Sequence, residues 1–530
     1  MKLYKIIITL FLFYYFLELT VAQTPVIQWQ KSYGGTEDDI AYSICILSNH
    51  GYAVVGASES SNGNVSNHQP STPGFLNNDV WLLKLDSSGI VRKSKCFGGT
   101  NFDEGKSIIQ TMDGGFIIAG LTNSKDGDVI GSHDFSDDFW VVKTDSNGIL
   151  QWQKCLGGYE SDGAEQIIQC KDSGYLVIGE TGGRIPDILG FHGSTDMLVI
   201  KLNQNGTKQW AKCFGGPSAE DTHSCVQTND GGFILAGEAS NDGGDVSGFH
   251  NAIYSDIWVV KIDSIGTIQW QRCYGGTSSD FYPKVMVSNT NDVFILGSTN
   301  SRDGDVTNFI GNFDLWLLKI DSASNILWQK CFGGINYENA FSACPTSDGG
   351  IAMIGASYFD DGMVTGTHGM EDFWVCKVDS SGNFLWGKSL GGSQDDEASS
   401  IQETPDGGLI LAGSTSSIDG DVTSNHGGKD YWIVKLAPLG LTVPELENSF
   451  MELNIFQSNN QLNLRYFSKH NQSAQLFLYD INGKNVFEKS ISVNEGINYN
   501  TISSTGLAAG MYFVRMDGEK GWQSGKIVIQ

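Results

Sequence analysis

The sequence predicts an all-β protein, a seven-bladed β-propeller followed by a small C-terminal β-sandwich. Gly-Gly pairs recur seven times at spacings of 58 to 64 residues in the 530-residue chain, and such a period is typical of repeat architectures. Each unit contains short apolar segments separated by turn signals, as in a four-stranded propeller blade. The units lack the 3.6-residue apolar spacing of helices, and a β-solenoid would use shorter coils and parallel strands.

The second unit illustrates the four strands of a blade. "GKSIIQT" is the first strand, and "MDGG" supplies a tight turn in which Asp-Gly suits positive φ. "FIIAG" is apolar throughout, as expected of a strand buried on both faces. A longer loop leads to the third strand, "DFWVVKTD", and the turn "DSNG" leads to the fourth, "ILQWQKC".

The repeat is out of phase with the chain. The seventh unit stops after "DYWIVKL", Asp430 to Leu436, without a fourth strand, whereas "VIQWQKSYGG" near the N-terminus is a fourth strand without a unit. An open array would leave two unpaired sheet edges, which invite aggregation. We therefore predict that Val26–Tyr33 pairs with the third strand of the last unit, near Trp432, and joins the two ends.

Twelve of the thirteen tryptophans occupy two positions of the repeat. A row of exposed tryptophans could stack on sugars, but a residue filled once per blade favours a shared packing role. We therefore predict that both sets lie in the core. Met197 and Lys93 replace Trp in two places. The third-strand set is Trp81, Trp140, Trp258, Trp316, Trp374 and Trp432, and the fourth-strand set is Trp29, Trp152, Trp210, Trp270, Trp328 and Trp386.

The ten cysteines do not form a predictable disulfide framework. Five occupy one repeat position, two residues before the Gly-Gly pair: Cys96, Cys155, Cys213, Cys273 and Cys331. Equivalent positions in neighbouring blades lie too far apart for a disulfide, so we interpret these residues as small buried hydrophobes. A bridge among the other five is left open: Cys45, Cys170, Cys225, Cys344 and Cys376.

Charge and the N-terminus indicate an exported protein. With 33 basic and 60 acidic side chains the formal charge is −27, which argues against nucleic-acid binding and against docking on anionic lipid. Residues 1–22 combine a basic start, an apolar run and small residues before Gln23, the pattern of a secretory signal peptide. Glu18 interrupts the apolar run and disfavours a membrane anchor. No later stretch is long enough to span a bilayer, so we predict no membrane span after cleavage.

The C-terminal part is a different β module. We assign residues 23–437 to the propeller, 438–448 to a linker and 449–530 to this module. "QLFLYDINGKNVFEKSI" predicts a hairpin around Asn482-Gly483, and "LAAGMYFVRMDGEKGWQSGKIVIQ" supplies two or three further strands. The run resembles the type A-like C-terminal sorting domain of type IX secretion substrates in Bacteroidota. The matching residues are Tyr479, Asp480, Gly483, Lys484, Gly510, Tyr512 and Val514.

This resemblance implies a small β-sandwich, handling by the type IX secretion machinery, and release from the cell or attachment to its surface, with the tail removed or retained. The usual Pro-Asn-Pro opener is absent, and Gln457-Ser458-Asn459 stands near its expected place. An ordinary adhesive β-sandwich is the alternative. The repeat region resembles propellers of exported bacterial proteins with the pattern "DGGYIVAG…DGDVxGxHG…DxWVVKLD", a group that implies no defined activity.

The loops that open on one face of the propeller are predicted to form an acidic surface. Acids fill the inter-blade loops: Glu37, Asp38, Asp39, Asp103, Glu104, Glu160, Asp162, Glu220, Asp221, Asp280, Glu338, Asp395, Asp396 and Glu397. An aspartate also opens every third strand: Asp79, Asp138, Asp196, Asp256, Asp314, Asp372 and Asp430.

The long loops carry "DGDV" or "DGGDV", whose carboxylates could hold Ca²⁺ if a neighbouring loop completed the shell. The candidate ligands are Asp126, Asp128, Asp242, Asp245, Asp303, Asp305, Asp419 and Asp421. Asx-type turn chemistry is the favoured interpretation, because the longer Asp-x-Asp-x-Asp pattern is missing. Six histidines recur in the same loops: His68, His133, His192, His250, His368 and His426. One His per blade does not suit zinc, so we expect local hydrogen bonds.

A catalytic site should break the repeat symmetry, because chemistry needs one constellation. Glu180 and Glu238 end second strands in adjacent units, His223 enters the fourth unit, and Phe281 to Lys284 is peculiar to the fifth. Two carboxylates could serve a glycosidase as acid and base, and Tyr with Lys could serve a lyase. Such isolated pairs are common by chance, so a non-enzymatic role is favoured and enzymatic activity stays an open alternative.

The predicted role is therefore binding or adhesion through the acidic loop face, toward a glycan, matrix or another surface protein. A polysaccharide-active enzyme on the same face and a structural surface component are the alternatives, because fold alone does not supply a ligand.

Overall fold

The computed structural model describes residues 24–439 and 450–529, apart from 70–76, 134–135, 184, 186–187, 189, 251–252, 289, 459–460, 469–470, 481–483, 509 and 519–520. The predicted signal peptide, most of the predicted linker and the motif residue Gly483 lie outside these ranges. The chain divides into two compact units, Met1–Leu439 and Gly440–Gln530. The described residues contain no helix, and hence none that could cross a membrane.

The first unit consists of seven four-stranded antiparallel sheets. The first strands are β2 (Asp39–Ile46), β6 (Asp103–Gln110), β10 (Asp162–Gln169), β14 (Thr222–Gln227), β18 (Asp280–Val287), β22 (Glu338–Pro345) and β26 (Asp396–Glu403). The second strands are β3 (Tyr52–Ser58), β7 (Phe116–Thr122), β11 (Tyr175–Thr181), β15 (Phe233–Ala239), β19 (Val293–Thr299), β23 (Ile351–Ser357) and β27 (Leu409–Thr415).

The third and fourth strands follow in each sheet. The third strands are β4 (Asp79–Leu85), β8 (Asp138–Thr144), β12 (Asp196–Leu202), β16 (Asp256–Ile262), β20 (Asp314–Ile320), β24 (Asp372–Val378) and β28 (Asp430–Leu436). The fourth strands are β5 (Val91–Phe97), β9 (Leu150–Leu156), β13 (Lys208–Phe214), β17 (Ile268–Tyr274), β21 (Ile326–Phe332), β25 (Phe384–Leu390) and, from the N-terminus, β1 (Ile27–Tyr33).

The N-terminal strand completes the last sheet. β1 runs antiparallel to β28 with Ser32 opposite Trp432, as the phase of the repeat predicts. The first and seventh blades also contact each other, since the Tyr431 hydroxyl donates to the Trp81 carbonyl at 3.1 Å. The backbone N–H of Ile44 donates to Ser400 Oγ at 3.4 Å. The two ends of the propeller are therefore held together by one shared sheet and by blade packing.

The two tryptophan sets differ in burial. All six third-strand indoles are at most 1% exposed, and Met197, which replaces the seventh, is fully buried. Many of these indoles donate across the blade, as Trp432 Nε1 does to Gln30 Oε1 at 2.9 Å. Five of the six fourth-strand indoles are only half-buried, and Trp386 alone is buried. The prediction that both sets lie in the core is therefore wrong for most fourth-strand tryptophans, which are only partly buried. The reason is that the fourth strand is the edge strand of its sheet.

The cysteines pack as predicted for small hydrophobes. All ten are free thiols, which answers the question left open for the second group. Four of the five repeat-position cysteines are buried, and Cys155 is half-buried.

The second unit contains two sheets that share one core. One sheet has the order β29 (Phe450–Ser458), β30 (Gln461–Ser468), β33 (Gly496–Ser503). The other has the order β32 (Asn485–Val493), β31 (Gln472–Asp480), β34 (Gly510–Gly518), β35 (Gly521–Ile529). Leu464 and Tyr466 from the first sheet pack with Leu476 and Val514 from the second. The predicted hairpin corresponds to β31 and β32, which pair antiparallel.

Candidate binding site at the channel mouth

Every first strand of the propeller contains a β-bulge near its start. In β6 the pairing with β7 skips from Gly105 to Ser107, so Lys106 is the extra residue. The other six first strands show the same shift at the corresponding place. A bulge turns the side chain of the extra residue away from its regular direction, and bulges often lie beside functional sites.

The bulge residues converge on one cavity of about 700 Å³, lined by the first strands of the blades. We call this set the channel ring: Tyr42, Lys106, Glu165, His223, Tyr282, Phe341 and Ser399. In the fifth blade the irregularity spans two residues, Tyr282 and Pro283, and Tyr282 has φ 55°. The ring carries aromatic, basic, acidic and hydroxyl groups in a sevenfold frame. It breaks the symmetry that the rest of the repeat keeps.

On one side of the cavity a hydrogen-bonded cluster fixes His223 and Tyr282. His223 Nε2 donates to Glu238 Oε1 at 2.8 Å, and the backbone N–H of Tyr282 donates to the same oxygen at 2.9 Å. The two rings meet edge to face with centroids 5.4 Å apart. Lys284 Nζ donates to the His223 carbonyl at 3.1 Å, and burial lowers the pKa of Lys284. Glu238 therefore acts as an anchor for two ring residues.

A carboxyl pair stands next to this cluster. Glu180, at the end of β11, is hydrogen-bonded to Asp221, which precedes β14. Burial, followed by the charges of Asp221 and Glu165, raises the pKa of Glu180 to about 7. Burial and the neighbouring negative charges therefore favour the protonated form of Glu180.

On the opposite side the charges are already paired. Lys106 Nζ lies 2.6 Å from Glu104 Oε2 and 3.8 Å from the centre of the Tyr42 ring. Burial raises the pKa of Tyr42 to about 12. Two further acids of the cavity are also engaged: Glu397 lies 2.6 Å from Lys429 Nζ, and Glu371 accepts from the Tyr358 hydroxyl at 2.7 Å. Within the described chain, the lining acids without a salt bridge are Glu165, Glu180, Asp221 and Glu371.

The structure thus brings together most of the asymmetric residues that the sequence singled out, whereas Phe281 and Pro283 do not line the cavity. Glu180, His223, Tyr282 and Lys284 line the cavity, and Glu238 supports it from behind. The sequence analysis missed Tyr42, Lys106, Glu165 and Phe341 as part of the same site. One sequence signal could have found them. An acid precedes or opens each first strand, and the third residue after this acid is different in every unit, unlike most repeat positions. These residues are Tyr42, Lys106, Glu165, His223, Pro283, Phe341 and Ser399.

The acids that start the first strands are not part of the acidic surface. We expected them on the loop face, but they are at most 1% exposed: Asp39, Asp103, Asp162, Glu220, Asp280, Glu338 and Asp396. Each accepts a backbone N–H from the second glycine of the Gly-Gly pair, as Asp396 does from Gly392 at 2.7 Å. Hydroxyl groups from β27 and the following loop, Thr415 and Ser417, complete the shell of Asp396.

Each of these acids lies beside the aspartate that opens the preceding third strand, and we call the two a junction pair. At the last junction a Cβ on Gly391 would overlap Asp372 Oδ1 and come within 2.7 Å of Asp396 Oδ2. Asp372 is fully buried, and its Oδ1 has no hydrogen-bond partner in the structure. The first glycine of the Gly-Gly pair is therefore required because both carboxyl groups occupy the space of a side chain.

The candidate calcium loops show turn chemistry. Asp126 Oδ1 accepts from the backbone N–H of Thr100 at 2.8 Å, and Asp303 and Asp419 repeat this contact with Thr277 and Ser393 at 2.7 Å. Gly127 has φ 63°, and a Cβ on this residue would lie only 2.3 Å from the carbonyl oxygen of Gly98. No other residue therefore fits this position. No group of three or more His, Cys, Asp or Glu side chains within the described ranges is arranged to hold a metal ion. Calcium binding by these loops stays a prediction.

Three loop histidines make the local contacts that we expected. His133, His250 and His426 each place Nδ1 2.6 to 2.7 Å from the aspartate that opens the next strand. Two other loop histidines approach the same kind of aspartate at 3.6 Å.

A family model matches the second unit. Residues 458–530 match the secretion system C-terminal sorting domain. The chain is therefore a type IX secretion substrate, which is exported and released or attached to the cell surface. A curated relative, the regulatory protein FlaEY of Caulobacter vibrioides, is 28% identical over 144 residues, which is 26% of this chain and 15% of that protein. The chain thus spans about one seventh of the relative's length.

Solved structures with low identity resemble the chain. The WD40 domain of Neurospora crassa Pan2 is 11% identical with a TM-score of 0.37, covering 74% of this chain and 88% of its own. A puromycin hydrolase is 9% identical with a TM-score of 0.43, covering 84% and 62% respectively. A Synechocystis apocarotenoid oxygenase mutant is 10% identical with a TM-score of 0.36, covering 70% and 94%.

Proposed function

Since the chain is an exported type IX secretion substrate with a propeller, we propose that it is a binding or adhesion protein of the cell surface or its surroundings. We place its ligand site at the channel ring. The single observation that carries the proposal is that all seven bulges direct differing side chains into one cavity of about 700 Å³. This volume lies within the range of small-molecule and glycan sites.

The chemistry of the ring suits recognition of a polar ligand. Tyr282 is 43% exposed, and Tyr42 and Phe341 add aromatic surface on other blades. Aromatic rings supply apolar contact, while the acids, lysines and serine supply directional hydrogen bonds. A polysaccharide end or an exposed side chain of a surface protein fits this combination. We further propose that a bulky ligand contacts the acidic inter-blade loops that precede the first strands.

A hydrolytic enzyme is the second candidate, and the titration of Glu180 favours it. A carboxyl group whose pKa is about 7 can act as a general acid near neutrality. The expected partner Glu238 is already occupied by His223 and the Tyr282 backbone, which disfavours it as a base or nucleophile. Binding is therefore the primary proposal.

A glycan array combined with a hydrolysis screen on the full chain tests both candidates. The informative variant is Tyr282→Ala, which removes an exposed aromatic ring from the cavity. The matched control is Tyr159→Ala, since Tyr159 is 69% exposed and does not line the cavity. Binding without product release, lost in the first variant and kept in the second, supports the proposal. Product release abolished by Glu180→Gln would establish the enzyme instead, and binding unaffected by Tyr282→Ala would refute the channel ring as the site.

A further inference from the structure

We infer that the ligand of the channel ring is a neutral glycan chain, which runs outward from the cavity along a row of five aromatic rings. We call this row the aromatic stripe: His223, Tyr282, Phe281, Phe313 and Tyr337. The stripe starts at the cavity, because His223 and Tyr282 belong to the channel ring. The inference rests on the proposed binding function and names the chemical class of its ligand.

The rings of the stripe form an unbroken row. From His223 outward to Tyr337, successive ring centroids lie 5.4, 4.8, 5.2 and 5.6 Å apart. The first three contacts are edge to face, and the last is stacked with an angle of 28° between the ring planes. Both arrangements are favourable for aromatic pairs at these distances. Each ring therefore holds its neighbour in place, and the row is a preformed surface.

The propeller frame does not itself require these rings. Phe313 and Tyr337 form an isolated parallel bridge, and Thr195 and Ala219 form the equivalent bridge two blades earlier. The other residues at the position of Phe313 are Asn78, Asp137, Thr195, Ser255, Glu371 and Lys429, and those at the position of Phe281 are Ile40, Glu104, Gly163, Asp221, Asn339 and Glu397. None of them is aromatic. The rings of the fifth blade are therefore specific to it, which favours a role in recognition.

The stripe combines an apolar floor with accessible phenol groups. Phe281 and Phe313 are half-buried, whereas Tyr282 and Tyr337 are 43% and 47% exposed. Neither tyrosine hydroxyl has a hydrogen-bond partner within the described chain. A sugar ring has C–H groups that pack on aromatic rings and hydroxyl groups that bond to phenol groups. A glycan matches both parts of the stripe, whereas a purely apolar segment would match only the floor.

Charge favours a neutral glycan over an acidic one. The stripe contains no lysine or arginine, and its histidine is already bonded to Glu238. The whole chain has a formal charge of −27. A chain of uronic acids would therefore find no cation to pair with along the stripe and would be repelled by the protein as a whole.

Isothermal titration calorimetry on the full chain tests the inference. The neutral probes are β-1,4-linked glucose, mannose and xylose oligosaccharides, each as a disaccharide and as a hexasaccharide. Hexagalacturonate is the acidic chain, and a hexapeptide rich in Leu and Val represents an apolar protein segment. We expect the best neutral hexasaccharide to bind at least about tenfold more tightly than its own disaccharide, the acidic chain and the peptide.

Tyr337→Ala separates the stripe from the channel ring, because Tyr337 does not line the cavity. Affinity for the hexasaccharide should fall about three- to tenfold, and affinity for the disaccharide clearly less. Tyr337→Phe keeps the ring and should keep most of the affinity. The alanine fits the frame, since Ala219 occupies the same place in the equivalent bridge. Phe313→Thr copies the other residue of that bridge, Thr195, and repeats the test if Tyr337→Ala folds poorly.

The matched control is Phe102→Ala. Phe102 stands at the repeat position of Tyr337, directly before the acid of its own first strand, and is 38% exposed. It has no ring contact within the described chain and does not line the cavity. Its removal should leave the affinity for both lengths of oligosaccharide unchanged.

The outcomes distinguish this inference from the proposed function. Equal affinity for both lengths, lost in Tyr282→Ala and kept in Tyr337→Ala, would overturn the stripe and keep the channel ring as a site. Tighter binding of hexagalacturonate or of the peptide would overturn the neutral glycan as the occupant. A loss in Phe102→Ala as large as in Tyr337→Ala would also overturn the stripe. Absence of binding by any probe, together with an empty glycan array, would remove both.

Discussion

The substitution Asp372→Asn should stabilise the propeller at alkaline pH. Burial is the main cause that raises the pKa of Asp372 from 3.8 to about 6. The hydrogen bond from the backbone N–H of His368 lowers this pKa, and the negative charge of Asp396 raises it. A group whose folded pKa is raised stabilises the fold below its unfolded pKa and loses that contribution as pH rises through the folded pKa. Above pH 6, ionised Asp372 therefore destabilises the native state.

The magnitude follows from the shift. Each pKa unit corresponds to about 1.4 kcal/mol, so the shift of Asp372 corresponds to about 3 kcal/mol at pH 8 as an upper limit. Asn cannot ionise, its amide oxygen can keep the hydrogen bond from His368 N–H, now 2.6 Å, and its NH₂ group replaces the unpartnered Oδ1. We expect a gain of about 1–3 kcal/mol at pH 8 that shrinks toward zero near pH 4.

Denaturant unfolding of the full chain, followed by tryptophan fluorescence at several pH values, measures this gain. The matched control is Asp396→Asn in the same junction pair. Asp396 accepts from Gly392 N–H and from the hydroxyls of Thr415 and Ser417, so an amide NH₂ there would face donors. This control should lose about 1–3 kcal/mol. Burial also raises the pKa of Asp396, so this loss should be largest at low pH. A loss of stability in Asp372→Asn at pH 8, or a gain that does not change with pH, would refute the reasoning.

Three further predictions concern the frame of the propeller. Deletion of Ile27–Tyr33 exposes the edge of β28 and should lower the melting temperature, measured by calorimetry, by about 10 °C or more. Adding the segment as a peptide should recover part of this loss, and an unchanged melting temperature would contradict the shared sheet. Trp258→Ala should cost about 3–5 kcal/mol in denaturant unfolding and the half-buried Trp270→Ala clearly less, whereas equal losses would contradict the burial difference. Asp172→Ala removes the carboxylate that lies 2.8 Å from the buried Lys201 Nζ and should lower the free energy of unfolding by about 1–3 kcal/mol. Lys201→Met should lower it by less, because no unpaired charge is left buried; a larger loss in Lys201→Met would contradict this reasoning.

The repeated features were predictable because each makes the same contact in every blade. The third-strand tryptophans, exemplified by Trp432, and the phase of β1 could be read from the repeat alone. The acids Asp372 and Asp396 were harder to place, since a lone carboxylate is normally exposed. Only the backbone and hydroxyl donors that surround Asp396 make its burial possible. Gly392 is a local donor, but the hydroxyls of Thr415 and Ser417 come from the next strand and its following loop.

The channel ring could not be predicted from alternation. A regular strand directs successive side chains to opposite faces, so Lys106 and Glu165 would be assigned to one sheet face like their neighbours. The bulge changes this direction, and its position depends on pairing with the second strand. The asymmetric residues Glu180 and His223 were recognised as unusual, but their convergence on one cavity requires the three-dimensional arrangement of the blades.

The sheet shared by β1 and β28 has a consequence for the order in which the polypeptide matures. Gln30 bonds to Trp432, 402 positions later, so the leading strand waits for nearly the entire propeller before it finds its neighbour. Closing so long a loop is entropically unfavourable and slow, which makes this step the last one in assembly. A chain interrupted before the seventh blade would retain two bare edges, and such edges are prone to self-association.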